Sequence, residues 1–419
     1  MKFIRWLDQR LPILNTLRKH VTQYPIPKNI NGWYVFGSLL MLCLVIQLLS
    51  GLWLAMYYQP SAEKAFDSVQ YIMREVNFGW LIRYMHTTGA SALFIAAYLH
   101  IFRSMIYGSY QRPRELVWLL GMCLMILLMA EAFLGYLLPW GQMSYWGAKV
   151  ILSLFEAIPF VGDPLATWVR GDYLISGVTL NRFYALHIIG IPLILLSLVG
   201  LHLLSLHHVG SNNPDGIDTK KKKCVQEDVS SQFVFHDDYT KEYVFVDCVP
   251  FHPYGTVKDL VAICLFLLCF CFVLFFNPTG SGLFIEPANA FIADPLSTPE
   301  HIAPLWYFTP FYAILRAVPD KSTGIILMLL ALLLLFILPW IDRGKVRSVR
   351  YRSIFHRNNL VIFAFSFLGL GVVGLLPLSF CTLWFSRAFT IGYFMYFVLL
   401  AIYSRHEVTK ELPERVKFK

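Results

Sequence analysis

Charge is scarce in this sequence. Of its 419 residues, 15% are Asp, Glu, Lys or Arg, whereas 57% are hydrophobic and 16% are aromatic. That composition leaves too little polar surface for a soluble protein of this length. We therefore predict an all-α polytopic membrane protein. Runs long enough to cross about 30 Å of hydrocarbon occur at 33–57, 80–107, 115–137, 178–207, 258–277, 321–341, 360–381 and 388–404.

Two further patterns are lacking. No CxxCH motif occurs, so covalent haem attachment is not expected, and six of the eight cysteines fall within apolar runs, where cysteine behaves as a small hydrophobic residue. Residues 1–32 lack the apolar core of a signal peptide. They combine apolar with basic residues, and we interpret them as an amphipathic segment that lies in the membrane interface.

Basic residues are distributed unevenly among the connections. Threading eight spans through the chain places most of the 35 Lys and Arg on the side of the amino terminus. By the positive-inside rule, both termini then face the cytoplasm or matrix. The net charge of +9 consequently needs no nucleic acid to explain it.

The spans divide the rest of the chain into a four-span region 33–209, an inner connection 210–257 and a second four-span region 258–419. The outer connection between the third and fourth spans, 138–177, is apolar enough to form short helices that cap a cavity. Residues 278–320 are rich in proline, which excludes a regular spanning helix. Irregular backbone at membrane depth must be buried or line a cavity, so this loop is a candidate substrate pocket. Two β-prone runs around a polar turn within 230–247 predict a hairpin.

Two apolar segments each carry a pair of histidines at a matching separation. His86 and His100 are 14 residues apart, and His187 and His202 are 15 apart. At ~100° and ~1.5 Å per residue, each pair shares one helix face, with its members ~21–22 Å apart. A single histidine in a span is more often a packing residue, but two matched pairs favour ligands, because neutral imidazole binds haem iron. Side-by-side packing would form two stacked bis-histidine sites.

Glycines repeat this interval in the first and third spans. They are Gly37 and Gly51 in the first, and Gly121 and Gly135 in the third. Glycine permits a bulky group to approach the backbone, so each can face a macrocycle, although glycines also mediate ordinary helix contacts in membranes. Arg83 and Arg103 each lie one turn outside a histidine, where they suit haem propionates; snorkelling to the interface is the alternative.

Seven segments, taken in order, resemble the cytochrome b family of quinol:cytochrome c oxidoreductase, respiratory complex III. They are GWLIRYMHTTGAS, AYLHIFRSMIYGSY, AFLGYLLPWGQMSYWGA, NRFYALHIIGIPL, HLLSLHHVGSNNPDGI, PFHPYGTVKDL and TPEHIAPLWYF. The resemblance covers almost the whole chain. It implies eight transmembrane helices, of which the first four form a bundle around two non-covalent b-type haems.

Carried over by motif, His86 and His187 ligate the low-potential haem near the outer side, and His100 and His202 ligate the high-potential haem near the inner side. The family oxidises quinol at an outer site. One electron goes to a Rieske iron–sulfur protein, and the other crosses both haems to reduce quinone at an inner site, which is coupled to proton translocation. The resemblance also implies a cytochrome c1 or equivalent c-type partner, a homodimer of the complex, membrane lipid around it, and location in the bacterial inner membrane. Ubiquinone is the expected quinone, with menaquinone left open.

The two quinone pockets are expected at residues that match the family's motifs. The outer pocket comprises Tyr136, Gly147, Pro304, Leu305, Trp306, Tyr307 and Tyr312. The inner pocket comprises His207, Ser211, Lys258 and Asp259. Imidazole, carboxylate and ammonium groups at a membrane face suit proton donation to a quinone, although interfacial anchoring would also account for them.

The chain departs from the family in three places. The outer motif is commonly Pro-Glu-Trp-Tyr, whereas Leu305 here cannot accept a proton. Glu131, one turn before Gly135, is the candidate replacement unless it is paired elsewhere. The 15-residue interval between His187 and His202 is unlike mitochondrial members, and a bacterial complex III is the simplest placement. An insertion at 219–247 could touch the inner site or a partner, and a catalytically inert insertion is favoured.

Two other classes of protein are left open by the residues alone. A di-haem membrane anchor of a quinone-linked dehydrogenase would pass electrons without bifurcation, and it should have four or five spans. A transporter or structural subunit without a cofactor would make the four histidines coincidental.

Overall fold

A computed structural model describes residues 2–12, 14, 18–222, 235–236 and 243–417. Within these residues, eight helices are long and apolar enough to cross a membrane, as the composition predicted. They are span 1 Gly32–Ala55, span 2 Gly79–Ile106, span 3 Glu115–Leu137, span 4 Gly177–Val209, span 5 Phe251–Phe276, span 6 Lys321–Ile341, span 7 Ile354–Leu375 and span 8 Phe380–Tyr403. The all-α polytopic fold is therefore confirmed.

The predicted bounds of the last two spans, 360–381 and 388–404, were wrong. Span 7 ends at Leu375 and span 8 begins at Phe380. Pro377 lies in the connection, and Ser379 caps span 8: its hydroxyl accepts from the Thr382 amide at 3.2 Å, and its own amide donates to the Thr382 hydroxyl at 2.7 Å. The predicted bounds followed hydropathy alone, whereas the end of span 7 and the start of span 8 are fixed by Pro377 and by the Ser379 cap.

Shorter helices flank the membrane spans. One covers Lys2–Arg10 and exposes Trp6 and Leu7, as expected for an interfacial segment. The outer connection 138–177 forms the expected short helices. Together with those of the other loops, the short helices are Ala65–Arg74, Gln142–Glu156, Gly162–Arg170 and Thr309–Arg316. The proline-rich loop 278–320 contains two 3-10 turns before the last of these helices.

Among the described residues, one short strand lies in the N-terminal segment and four lie in the inner connection. They are β1 Pro25–Pro27, β2 Lys220–Lys222, β3 Phe235–His236, β4 Tyr243–Phe245 and β5 Cys248–Pro250. β3 and β4 pair antiparallel, which confirms the predicted hairpin as far as the structure describes it. β2 adds on the other edge of β4. β1 pairs with β5, so the N-terminal segment is joined to the residues that directly follow the insertion. The remainder of the predicted insertion, 223–234 and 237–242, lies outside the described residues.

The spans pack in two groups. Span 1 packs on span 2, and span 3 on span 4, whereas spans 7 and 8 pack on each other and around the helix Thr309–Arg316. The second group encloses a core of large side chains. Its fully buried members include Phe363, Tyr393, Tyr396 and Leu400. The first group, by contrast, surrounds the predicted histidines.

Candidate functional site

The four predicted ligand histidines, two on span 2 and two on span 4, form two facing pairs. The rings of His86 and His187 have centroids 6.1 Å apart and perpendicular planes. The rings of His100 and His202 have centroids 6.5 Å apart, with planes inclined by 58°. Metal–nitrogen bonds to imidazole are about 2 Å long, so each pair has room for one metal ion between two ring nitrogens. The predicted pairing therefore matches the geometry.

Each glycine of the predicted set lies against one of these rings. A Cβ built on Gly51 would stand 3.0 Å from Cε1 of His86, and one on Gly135 only 2.5 Å from Cε1 of His187. On the inner side, the corresponding distances are 3.6 Å from Gly37 to His100 and 3.4 Å from Gly121 to His202. The absence of side chains in spans 1 and 3 thus makes space at the histidines, and the fit is tighter in the outer pair.

Hydrogen bonds determine which nitrogen of His86 carries its proton. Nδ1 of His86 lies 2.9 Å from the Ser50 hydroxyl, and that hydroxyl donates to the Ile46 carbonyl at 2.6 Å. The Ser50 oxygen must then accept from Nδ1, so Nε2 keeps its lone pair. This is the tautomer that a metal ligand requires.

His187 has the same arrangement with stronger acceptors. Its Nδ1 lies 3.0 Å from the backbone carbonyl of Glu131 and 3.0 Å from Oε1 of the same residue. The backbone carbonyl oxygen can only accept, and so can Oε1 when the carboxylate is ionised. Nδ1 therefore donates its proton, and the lone pair of Nε2 is left for a metal. Glu131 and Gly135 are four residues apart on span 3, and both touch the ring.

A cavity of ≈ 630 Å³ adjoins the outer pair and is lined mainly by apolar side chains. It joins the histidine pair to part of the predicted outer pocket. The predicted residues that line it are His86, His187, Gly51, Gly135, Arg83, Glu131, Tyr136, Leu305 and Tyr307. Cavities of roughly 300–1,000 Å³ with a few polar groups are typical of small-molecule sites. Gly147, Pro304, Trp306 and Tyr312 do not line it.

Gly147, Pro304 and Trp306 neighbour residues that line the cavity, whereas the described contacts of Tyr312 are elsewhere. Gly147 lies behind the Tyr136 ring, because a Cβ there would be 3.6 Å from Cε1 of that tyrosine. Trp306 donates its indole N–H to the Ser91 hydroxyl at 3.1 Å. Pro304 precedes Leu305 in the same loop, and the Tyr312 ring lies under the Arg316 guanidinium at 5.3 Å.

Tyr136 and Tyr307 are held by residues that the sequence did not single out. The Tyr136 hydroxyl accepts from the Asn289 amide at 3.1 Å. The Tyr307 ring stacks on Phe94, with centroids 3.9 Å apart and planes 4° apart. The Tyr307 carbonyl accepts from the Tyr98 hydroxyl. Phe94, Tyr98 and Asn289 belong to no spacing pattern or charged cluster, so the sequence alone does not mark them as site residues.

Near the inner pair, Arg103 and Tyr34 present unused polar atoms. The Arg103 guanidinium lies over the Tyr34 ring at 4.8 Å, and its Nη2 is 3.2 Å from Nδ1 of His100. Nε of Arg103 and the hydroxyl of Tyr34 are buried and have no hydrogen-bond partner within the described part of the chain. Buried polar atoms without partners suit an anionic ligand beside them.

The predicted inner-pocket residues fall into two sets of contacts. His207 stacks on Tyr24, and Ser211 shares a hydrogen bond with the Tyr24 hydroxyl. Asp259 instead accepts a hydrogen bond from the Ser38 hydroxyl. Lys258 donates to the Ile30 carbonyl at 2.7 Å, so its ammonium group is engaged with the N-terminal segment.

Arg114 supports this region and was not predicted. It is 4% exposed, and its Nε donates to the Gly210 carbonyl at 2.9 Å. Burial and the neighbouring charge of Arg347 lower its pKa to about 10. The guanidinium therefore stays charged at neutral pH while it fixes the backbone just before Ser211.

Comparison with known proteins agrees with this geometry. The family model described as "Cytochrome b/b6/petB" matches residues 21–210, and "Cytochrome b(C-terminal)/b6/petD" matches 292–394. A cytochrome b of Allochromatium vinosum is 52% identical over 418 residues, which cover 99% of this chain and 98% of that protein. The chain belongs to the cytochrome b family. A cytochrome b of Rhodospirillum rubrum is 45% identical over 98% of this chain and 95% of its own length.

The fold of this cytochrome b is also found in a solved complex. A chain of a "Hyperthermophilic respiratory Complex III" matches with a TM-score of 0.84 and 36% identity, over 96% of this chain and 98% of that one. The protein is accordingly a multi-pass membrane subunit of the complex III type, an electron-transfer component that binds b-type haem. The resemblance to the bacterial family is confirmed, and a cofactor-free transporter is excluded. Eight spans among the described residues also disagree with the four or five expected of a dehydrogenase anchor.

Proposed function

We propose that this cytochrome b binds two non-covalent b haems, one at each histidine pair. His86 and His187 would ligate the outer haem, and His100 and His202 the inner one. The observation that carries the proposal is the pair of facing rings at two levels of one bundle, with each ring beside a glycine. Arg83 and Arg103 would neutralise the propionates. When bound, the haems supply one-electron carriers that divide the membrane into shorter electron-transfer distances.

The part of this cavity lined by Tyr136, Leu305 and Tyr307 is the proposed site of quinol oxidation, because the outer haem would fill the part between the two histidines. Its apolar lining suits a quinone ring and tail, and Tyr136 and Tyr307 supply polar groups within it. Pro304, Leu305 and Trp306 shape the loop that closes the cavity, Gly147 lies behind the Tyr136 ring, and Tyr312 is carried over from the family motif. In this role the chain would deliver one electron to a Rieske partner and the other across the membrane, which amounts to bifurcation.

Glu131 is the proposed acceptor of a proton released by quinol. Leu305 has no acidic group, whereas the Glu131 carboxylate lines the same cavity. Its Oε2 atom is buried and has no hydrogen-bond partner among the described residues. A general base must reach the proton that it abstracts, and a carboxylate oxygen without a partner beside the cavity meets that requirement.

The inner side is the proposed site of quinone reduction, which takes up protons. His207 and Ser211 meet at Tyr24, while Lys258 and Asp259 lie in the first turn of Thr256–Phe276, the α-helical part of span 5. Imidazole and carboxylate groups at this face can hand protons to a reduced quinone. Quinol, expected to be ubiquinol, would therefore be oxidised on the outer side with release of protons, and quinone would be reduced on the inner side with uptake of protons, which couples electron transfer to proton translocation.

The proposal also places the chain in its complex. The excess of Lys and Arg on the amino-terminal side supports cytoplasmic termini in the bacterial inner membrane. The match to a complex III chain supports a Rieske protein and cytochrome c1, or an equivalent c-type cytochrome, as partners in a homodimeric assembly. This chain would be active as an oxidoreductase in their presence.

The test is a haem count on the purified complex, by pyridine haemochrome and a reduced-minus-oxidised spectrum. We expect two b haems per chain with separate potentials. His86→Ala should remove one haem and His202→Ala the other, while His406→Ala, on the exposed C-terminal tail, should remove neither. A wild-type protein with one b haem or none would overturn the assignment.

A further inference from the structure

The contact between Glu131 and His187 connects an acidic side chain to a proposed haem ligand. Oε1 of Glu131 and Nδ1 of His187 are 3.0 Å apart, and their side chains are 18% and 15% exposed. The Glu131 carbonyl lies at the same distance from the same nitrogen. The imidazole N–H is therefore directed at two oxygens on one turn of span 3, and the ring cannot rotate without losing both.

The other three proposed haem ligands have different surroundings at Nδ1. His86 meets the neutral hydroxyl of Ser50. His100 lies beside the cationic Arg103. Nδ1 of His202 has no hydrogen-bond partner within the part of the chain that the structure describes. A carboxylate at Nδ1 is thus found on the outer pair, and a guanidinium on the inner pair.

We propose that Glu131 is a positioning residue for His187 and lowers the reduction potential of the outer haem relative to the inner one. The inference rests on the proposed haem ligation. A carboxylate that accepts from the N–H of a ligating imidazole fixes its tautomer and makes its other nitrogen a stronger donor. Stronger donation and a nearby negative charge favour the more positive, oxidised iron, and second-shell hydrogen bonding is one of the means by which proteins set haem potentials.

This role is separate from proton acceptance, because it uses the other oxygen of the carboxylate. Oε1 is directed at His187, whereas Oε2 has no partner among the described residues. A change in outer-haem potential reports on the Oε1 contact whether or not quinol is present. It can therefore be measured on the resting complex, without turnover.

The experiment is a redox titration of the two haems by their absorbance in the purified complex. Glu131→Gln retains the shape of the side chain but removes its charge, and we expect the outer-haem potential to rise towards that of the inner haem, which should not move. Glu131→Asp keeps the charge but withdraws the oxygen from His187, and a smaller rise is expected. Glu115→Gln, at the first turn of the same span and paired with Arg112 at 3.4 Å, is the control and should shift neither haem.

The outcomes separate this inference from the proposed function. Fewer than two b haems in the wild-type complex would overturn the haem assignment itself. Two haems whose potentials are the same in wild type, Glu131→Gln and Glu131→Asp would leave that assignment standing and overturn the role of Glu131. If Glu131→Gln loses the outer haem, the potential in Glu131→Asp decides: a rise supports the proposal, and an unchanged value overturns it.

Discussion

The Tyr24 ring stacks on the His207 ring, with centroids 4.3 Å apart and planes inclined by 23°. The Tyr24 hydroxyl also forms a 3.2 Å hydrogen bond with Ser211, 187 positions further along the chain. β1 follows Tyr24 directly and pairs with β5, so the stack is anchored by the strand that directly follows the insertion. Burial raises the pKa of Tyr24, and its hydroxyl therefore keeps its proton at neutral pH.

This stack predicts an effect of Tyr24 on the inner quinone site. Tyr24→Ala should release the His207 ring, whereas Tyr24→Phe keeps the stack and loses the hydroxyl. Aromatic pairs contribute about 0.5–1.5 kcal/mol, so we expect a rise of roughly 2- to 10-fold in the KM for quinone in Tyr24→Ala and a smaller one in Tyr24→Phe. The measurement is the rate at which added quinone reoxidises the reduced haem. Tyr71→Ala, on the exposed face of a short outer helix, is the control. A wild-type KM in Tyr24→Ala would contradict a role for the stack.

The sequence was informative where residues of one type recur at a fixed interval along a helix. The histidine and glycine intervals follow from helical geometry, so they predicted which residues meet at each level, and the structure brings them together. Glu131 was picked out by its position one turn before Gly135. Its contact with His187 depends on how spans 3 and 4 pack, and no periodicity within either helix contains that information.

Residues that reach a site from a distant segment were missed for the same reason. Tyr24 and Asn289 support predicted residues from loops far away in sequence. Lys258 was predicted in the inner pocket, and the sequence did not indicate that its ammonium group would donate to the Ile30 carbonyl. Spacing along a helix fixes azimuth and depth, whereas contacts between segments depend on the whole fold.

The glycines should respond unequally to an added methyl group. The Cβ of Gly135→Ala would lie 2.5 Å from His187, and that of Gly51→Ala 3.0 Å from His86, whereas Gly37→Ala leaves 3.6 Å to His100. Overpacking typically costs about 1–3 kcal/mol. The content of outer haem should therefore fall strongly in Gly135→Ala and less in Gly51→Ala. The content of inner haem should fall least, in Gly37→Ala. Gly200→Ala is the control, because nothing lies within 4 Å of its Cβ position. Equal haem content in all four variants would refute the close approach at Gly135.

The proton-acceptor role of Glu131 can be separated from its effect on the haem by restoring the family's carboxylate at position 305. Glu131→Gln should slow quinol oxidation and alter its pH profile. Adding Leu305→Glu to Glu131→Gln should restore the rate, because both positions line one cavity, but it should leave the outer-haem potential raised. The measurements are steady-state quinol oxidation against pH and the redox titration. An unchanged rate and pH profile in Glu131→Gln would exclude the proton role.

The insertion joins the rest of the inner surface at Asp247, which is buried between two basic side chains. Its carboxylate accepts from Lys28 at 2.9 Å and from Arg415 at 3.0 Å. Burial alone would raise its pKa, but these hydrogen bonds hold the pKa below the ordinary value. Deleting 223–242 while keeping Asp247 should therefore leave inner quinone reduction unchanged, whereas Asp247→Ala should raise the KM for quinone, because it loosens β1 beside Tyr24. A loss of quinone reduction in the deletion variant would show that the insertion is not inert.

A buried ion pair holds the ends of spans 6 and 7 together on the inner side. Asp342 and Arg352 are both fully buried, with Nη1 and Oδ2 2.5 Å apart, and the pair is completed by Tyr110 and Glu407. Burial opposes ionisation, but the Arg352 charge and the hydrogen bonds hold the pKa of Asp342 below its ordinary value. The pKa of Arg352 is raised, since its acidic partners outweigh its burial.

Breaking this pair should destabilise the second group of spans in a pH-dependent way. Removing one partner of a buried pair costs about 3–5 kcal/mol, so Asp342→Asn should lower the midpoint of thermal unfolding in detergent. Because the folded pKa of Asp342 is depressed, its contribution is complete above the ordinary carboxyl pKa of about 4 and is lost as the pH falls through the folded value. The difference between wild type and Asp342→Asn should therefore be largest at neutral pH and shrink in acid. Asp163→Asn, at an exposed position, is the control and should have the unfolding midpoint of wild type at every pH. If the difference in midpoint between wild type and Asp342→Asn does not change with pH, the charge of Asp342 is not what stabilises the fold.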